Sequence, residues 1–273
     1  MNFMRKCLFL LVLIAFGPFP VQAAPLLPLK LEGFQPHNSD SYTQGLFILD
    51  GRLYESAGLY GRSSFEVRRF EAGRPPDLIS SKKLGDRYFA EGATEAGGEI
   101  YLLTWREETG FVLDLKTLLI KREFSYSGEG WGLSWDGERL WRSDGSSRLY
   151  PHRAGDFAPA GEPVVIYDQD REVERLNELE WDPLTGLMLA NIYGEDLVAA
   201  IDLSAGRVLF WLDARPLREM AGLAGLVQGR SPLDTVLNGL AVEGQALWLT
   251  GKLWPRLYKA AWPPEGSAEI LKP

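Results

Sequence analysis

Gln44-Gly45-Leu46 opens a phrase that the chain repeats four more times, as Glu91-Gly92-Ala93, Trp131-Gly132-Leu133, Asn177-Glu178-Leu179 and Asn238-Gly239-Leu240. A turn follows each one: Asp50-Gly51, Gly97-Gly98, Asp136-Gly137, residues 182–186 and Glu243-Gly244. Beyond each turn lies an apolar segment carrying Tyr54, Tyr101, Trp141, Leu189 or Trp248. The phrases begin 47, 40, 46 and 61 residues apart. A period of roughly 40–50 residues built from short strands is the signature of a β-propeller with one blade per repeat. The sequence therefore predicts an all-β, five-bladed β-propeller. The first strand of a blade lines the central axis, so the variable slot gathers Gln44, Glu91, Trp131, Asn177 and Asn238 at one mouth. A carboxylate, three amides and an indole around one opening have the makings of a site.

The outer strands of each repeat are also readable. Residues 64–70, 110–115, 147–152, 196–203 and 256–262 read as third strands, and 78–84, 119–126, 163–167 and 207–213 as fourth strands. The fifth repeat retains only Ile270-Leu271 for its fourth strand, while residues 29–34 resemble a fourth strand without a blade. Ring closure by this N-terminal strand in the last blade resolves both oddities and leaves few bare sheet edges. The long last interval holds an insertion, residues 215–233. There Leu217, Met220, Leu223 and Leu226 recur at helical spacing, predicting a short helix or ordered loop packed on the outside. Gly222 and Gly225 count against the helix.

A chain of 273 residues that is 45% hydrophobic has the material for one large domain. Its mean hydropathy of −0.13 excludes a polytopic membrane protein. Arg5 and Lys6 precede an apolar run, residues 7–16, which is too short for a permanent span. Gly17, Pro18 and Pro20 break the run, and Val21-Gln22-Ala23 fits a small-residue cleavage site. Residues 1–23 thus read as a signal peptide and 24–273 as a single catalytic domain, periplasmic or secreted, with no stable membrane association after cleavage. Without Arg5 and Lys6 the 29 basic side chains fall to 27 against 37 acidic ones, and the net charge becomes −10. So acidic a chain is a poor partner for nucleic acid. Cleavage would also remove Cys7, the only cysteine, leaving neither disulfide nor thiolate chemistry.

Several further motifs carry a family resemblance. Tyr42-Thr43-Gln44-Gly45-Leu46, Leu53-Tyr54-Glu55-Ser56, Phe89-Ala90-Glu91-Gly92 and Leu103-Thr104-Trp105-Arg106 belong to the first two repeats. Glu129-Gly130-Trp131-Gly132-Leu133, Ser143-Asp144-Gly145, Leu176-Asn177-Glu178-Leu179-Glu180-Trp181, Leu237-Asn238-Gly239 and Thr250-Gly251-Lys252-Leu253-Trp254-Pro255 continue the series. Together, in this order, they resemble the plant-type and bacterial glutaminyl-peptide cyclotransferases over nearly all of the chain after residue 23. The resemblance implies a five-bladed propeller that converts N-terminal glutamine to pyroglutamate and ammonia, without a cofactor or metal. Its implied partners are peptides or proteins that begin with Gln, acted on by a monomer.

Such a cyclisation is an intramolecular acyl transfer, so it needs no enzyme nucleophile. The enzyme must fold the substrate for attack, move a proton from the α-amine to the departing ammonia, and stabilise charge on oxygen. Glu91 matches the family's catalytic glutamate and is the expected proton shuttle; otherwise it would serve only as an acceptor for strand ends. Lys252 is expected at the same mouth, to polarise the amide carbonyl or hold Glu91, unless it is a solvated loop lysine. Gln44 and Asn177 suit an amide and an α-amine, the competing role being blade-to-blade hydrogen bonding. Trp105, Trp131 and Phe89 would form apolar walls, with core packing as the alternative. For Asn238 a structural role and a site role stand level. Tyr42 and Tyr193 depart from the Phe and Trp common in the family, which keeps the aromatic walls but adds hydroxyls and puts substrate preference in question.

Other chemistries find little support. His37 and His152 are the only histidines, too few for a histidine-rich metal site. His37 lies in a Pro-His-Asn turn and reads as a surface residue. Trp135, Trp141, Trp181, Trp211 and Trp248 fall within strands and read as core. Two different functions compete with cyclisation. A glycan-processing propeller would pair carboxylates among Glu91, Glu129, Asp144 and Glu178. A non-catalytic envelope propeller would bind a protein or glycan partner without turnover.

Overall fold

The computed structural model describes residues 23–71, 74–223 and 231–272. The segment read as a signal peptide, residues 1–23, lies outside the described residues except for Ala23, as do Gly225 and Leu226 of the insertion. Two strands, β1 (Leu26–Pro28) and β2 (Leu31–Pro36), precede the first repeat. The first repeat forms β3 (Thr43–Leu49), β4 (Arg52–Ala57), β5 (Ser64–Arg69) and β6 (Asp77–Lys83). The second forms β7 (Ala90–Ala96), β8 (Glu99–Thr104), β9 (Thr109–Asp114) and β10 (Ile120–Ser125). The third forms β11 (Leu133–Trp135), β12 (Leu140–Ser143), β13 (Arg148–His152) and β14 (Val164–Val165). A small hairpin follows, β15 (Tyr167–Asp168) and β16 (Arg171–Glu172). The fourth repeat is β17 (Leu176–Asp182), β18 (Leu187–Ile192), β19 (Leu197–Asp202) and β20 (Arg207–Asp213). The fifth is β21 (Leu237–Glu243), β22 (Ala246–Gly251) and β23 (Arg256–Ala261).

The fold is all-β and propeller-like. Within each repeat, successive strands pair antiparallel in chain order. Five equal sheets do not form. Four have four strands, and the fourth repeat belongs to a seven-stranded sheet. That sheet is larger because β15 and β1 both pair parallel with β20, and β16 adds to β15. The segment expected as one fourth strand, residues 163–167, is therefore split between two sheets: β14 completes the third and Tyr167 joins the fourth. In the fifth sheet the outer strand is β2, antiparallel to β23 from Leu31 opposite Ala260 to Pro36 opposite Arg256.

Five apolar clusters fill the spaces between neighbouring sheets. Phe47 and Phe65 meet Ile100 and Phe111; Tyr101 and Phe124 meet Leu140; Trp141 and Leu149 meet Leu176 and Met188. Leu189 and Phe210 meet Leu249 and Tyr258, and Leu46 and Leu53 meet Trp248 and Leu257. The last of these packs the fifth sheet against the first, so the core runs around a closed ring. Trp141 and Trp248 are core as expected, whereas Trp135, Trp181 and Trp211 are only half-buried. The insertion contains α1 (Arg215–Met220), shorter than the leucine spacing implied, followed by a 3₁₀ turn at Pro232–Thr235.

The recurring phrase has a geometric meaning. In four of the five inner strands it coincides with a register shift, at 43/45, 90/93, 176/179 and 237/240. A bulge re-aims the residue it contains, and here those residues are Gln44, Glu91, Asn177 and Asn238. The glycine of the phrase sits where inner strands converge. A Cβ on Gly45 would lie 2.5 Å from the Ala93 nitrogen, and one on Gly92 would lie 2.5 Å from the Leu133 nitrogen. Glu178 is the exception to the glycine rule. Its buried carboxylate accepts hydrogen bonds from the backbone N–H of Leu240 at 3.0 Å and of Leu46 at 3.4 Å, tying β17 to β21 and β3.

Candidate active site

Tyr42, Gln44, Phe89, Glu91, Trp105, Trp131, Asn177, Tyr193 and Lys252 line one cavity of about 190 Å³. These nine residues, drawn from all five repeats, are the ones expected at the site from the sequence; Asn238, expected at the same mouth, is not among the lining. A volume below the roughly 300–1,000 Å³ of drug-sized sites suits a single side chain better than an extended ligand.

The floor is a chain of amides and one carboxylate. Gln44 donates from Nε2 to Glu91 Oε1 at 3.2 Å. Asn238 lies behind the lining: its Nδ2 donates to the Thr43 carbonyl at 2.9 Å and to Gln44 Oε1 at 3.3 Å. Its own Oδ1 accepts from Asn177 Nδ2 at 2.7 Å. Asn238 therefore braces the amides that face the cavity. Asn177, whose Nδ2 is engaged by Asn238, is itself part of the cavity lining.

Glu91 is 5% exposed. Burial pushes its carboxyl well above the usual carboxylate range; Lys252 pulls the other way, and the charges of Glu129 and Glu107 add to the rise. Lys252 follows β22 directly and is 4% exposed, so it is not a solvated loop lysine. Its Nζ sits 4.8 Å from the ring centre of Tyr42 and 5.2 Å from that of Tyr193. Both faces are favourable to a cation. Burial nonetheless lowers its pKa to about 8, against the upward pull of Glu91 and Asp234.

The walls are aromatic. Phe89 packs at 5.5 Å from Trp105 and edge-on at 6.2 Å from Tyr42, and Trp131 meets Tyr193 edge-on at 5.5 Å. Both pocket indoles donate to one carboxylate oxygen, Glu129 Oε2, at 2.8 Å from Trp105 and 2.9 Å from Trp131. The two hydroxyls that depart from the family pattern differ in use: Tyr42 reaches Asp234 Oδ1 at 3.5 Å, while Tyr193 presents its ring to Trp131 and Lys252.

The match to the glutamine cyclotransferase family model runs over residues 7–261. This chain belongs to the glutamine cyclotransferase family. It is 37% identical over 228 residues to a glutaminyl-peptide cyclotransferase of Arabidopsis thaliana, covering 82% of this chain and 68% of the relative. The crystal structure of Myxococcus xanthus glutaminyl cyclase superposes with a TM-score of 0.76 at 33% identity, covering 87% of this chain and 97% of the other.

In this glutamine cyclotransferase family member, two residues prove more important to the site than the sequence implied, and one lies elsewhere than expected. Glu129 entered only as one of several carboxylates, and Asp234 not at all. Glu129 stands two residues before its repeat phrase, and the indoles it joins come from different sheets, so no periodicity flags it. His37 is not at the surface. Its side chain is buried, with Nδ1 2.8 Å from the Trp254 carbonyl and Nε2 3.1 Å from Glu55 Oε1. Glu55 also accepts from Ser41 and Thr43, which offsets the cost of burying this pair. Glu178 is spent on backbone N–H groups, so the carboxylate pair that glycan hydrolysis would need is not available from it. Among the described residues, no group of three or more His, Cys, Asp or Glu side chains is placed to hold a metal ion.

Proposed function

We propose that this chain is a glutaminyl-peptide cyclotransferase that closes N-terminal glutamine to pyroglutamate, with Glu91 as the proton carrier and no step routed through a metal. The observation that carries the assignment of roles is that Glu91 and Lys252, both buried, line one small aromatic-walled cavity and act on each other's charge. The α-amine nitrogen attacks the side-chain amide carbon, the bond to the amide nitrogen breaks, and ammonia leaves. One proton must pass from the α-amine to the departing nitrogen. A carboxyl lifted out of its ordinary range can accept and return a proton near neutral pH.

Lys252 is the cation whose charge acts on this carboxyl and would stabilise negative charge as it develops on the amide oxygen. Asn177, in the lining, would meet the α-amine. The walls of Phe89, Trp105, Trp131, Tyr42 and Tyr193 exclude the water that would otherwise hydrolyse the amide. We further propose a five-bladed count, in which the seven-stranded sheet is a blade, β17–β20, enlarged by β15, β16 and β1. Residues 1–23 would serve as a signal peptide that delivers a single domain, residues 24–273, to the periplasm or exterior. There it would act as a monomer on peptides and proteins beginning with Gln.

The test is ammonia release from a Gln-initiated dipeptide by protein starting at Ala24, with and without a chelator, beside Glu91→Gln. Chelator-resistant turnover that falls at least about a hundredfold in the variant is the expected outcome. A folded wild-type protein without turnover would overturn the function, and turnover that survives in Glu91→Gln would overturn the role of Glu91.

A further inference from the structure

The two tryptophans of the slot share one acceptor, and that acceptor is charged. We propose that Glu129 is a positioning residue for the reaction: its carboxylate clamps Trp105 and Trp131 together and so sets the width of the slot into which the substrate side chain folds. The inference rests on the reading that this slot takes the glutamine.

Trp105 follows β8 of the second sheet, and Trp131 precedes β11 of the third. Sheet packing alone leaves the ends of two such side chains free to part. Glu129 lies on the connection between these sheets and joins both indole N–H groups at a single oxygen, Oε2. The other oxygen accepts from Arg106 Nε at 3.0 Å, and the Arg106 guanidinium lies 3.7 Å from the Trp105 ring centre. The backbone of this connection is fixed as well. Arg142 donates to the Glu129 carbonyl, and the Gly130 N–H donates to the Trp105 carbonyl at 2.9 Å.

An indole N–H only donates, and the guanidinium of Arg106 only donates. Three converging donors demand a group that accepts on both oxygens, which a carboxylate does and an amide does not. Burial opposes the charge on Glu129, but hydrogen bonds from Trp131, Trp105 and Arg106 hold its carboxyl below the usual range. The clamp is therefore ionised at neutral pH.

The same charge acts on Glu91. The charged groups that shift Glu91 are Lys252 just after β22, Glu129 on the second connection, and Glu107 next to Arg106, and the Tyr60 and Tyr126 hydroxyls also feel the Glu91 charge. Tyr42 and Tyr193 face it across the slot, with Asp234 behind them. Removing the charge at 129 makes the Glu91 carboxylate easier to form, so the acid limb of the pH profile should move to lower pH.

Glu129→Gln and Glu129→Asp, made in the protein starting at Ala24, separate a clamp from a merely structural residue. The first readout needs no turnover. In ¹H–¹⁵N spectra, the two indole N–H resonances lost in Trp105→Phe and Trp131→Phe should both shift in Glu129→Gln. Kinetics with a Gln-initiated dipeptide should show a KM raised roughly tenfold in both variants, with a smaller change in kcat. The acid limb should move down in Glu129→Gln and stay in place in Glu129→Asp, which keeps the charge but retracts it. Unmoved indole resonances would overturn the clamp whether or not the protein turns over. Lowered thermal stability with KM and the acid limb unchanged would overturn it too, by reducing Glu129 to a fold-stabilising residue. If the wild type lacks turnover, the proposed function fails and the indole resonances alone decide the clamp.

Discussion

Lys252 places function and stability in opposition. Its pKa falls from 10.5 to about 8 because burial disfavours the ammonium more than Glu91 and Asp234 favour it. For a lysine held low in this way, the unfolded chain binds more protons between pH 8 and 10.5, so its cost to stability is full below about pH 8 and fades as pH rises to 10.5. A shift of this size corresponds to about 3 kcal/mol. Lys252→Met should therefore lose activity yet unfold at a higher denaturant concentration than the parent at pH 7, with the advantage shrinking as pH is raised through that window. A variant less stable than the parent at pH 7 would mean that the cation–π contacts with Tyr42 and Tyr193 outweigh desolvation. Glu91 was legible in the sequence because it occupies the slot of the repeat; Lys252 follows a strand end in the fifth repeat, and it was the family resemblance that pointed to it. Glu129 and His37 were not legible, because each stands outside the slot of the repeat and its role appears only when the fold brings its partners in: the indoles of Trp105 and Trp131, from two sheets, for one, and a buried carboxylate and the Trp254 carbonyl for the other.

At the scale of the strand, the repeat phrase is a bulge followed by a glycine that allows two inner strands to touch. The requirement is one of space. At Gly132, an added Cβ would fall far inside contact distance of the Asn177 carbonyl oxygen, which is backbone and cannot step aside. Gly132→Ala should destabilise by about 3 kcal/mol, seen as a lowered denaturant midpoint with unchanged slope. It should also raise KM, because the backbone that must move carries Asn177 and adjoins Trp131. An unchanged midpoint would show that the inner strands spread at little cost. The phrase made these strands readable, but the pairing of Tyr167 with Arg207 was not readable, since both segments read as outer strands of their own repeats and the period says nothing of a contact between two outer strands. The short helix expected in the insertion is α1, but its end was not readable: leucines at helical spacing mark an apolar face, not where the turn that follows must begin.

At the scale of the whole molecule, five repeats implied a ring, and the leftover N-terminal strand implied how it closes. The enlargement of one sheet to seven strands did not follow, because β1, β15 and β16 lie outside the period. A chain starting at His37 should lose the outer strand of the fifth sheet together with Leu27, Leu29 and Leu31, which pack on the core of that region. Its melting temperature should fall by roughly 10 °C or more, as loss of several kcal/mol does in a domain of this size. Far-UV and tryptophan signals should no longer melt together. Coincident melting at the parental temperature would show that the β2–β23 pairing is dispensable.

That pairing joins residues 34 and 258, near the two extremes of the described fold. During synthesis β2 must therefore wait for β23, the last strand among the described residues. A ribosome that stalls, or a protease that trims, anywhere before Arg256 leaves β2 without the strand it pairs with. Completion of the fold thus has a physical mark: the edge of β2 is covered only once β23 has been made.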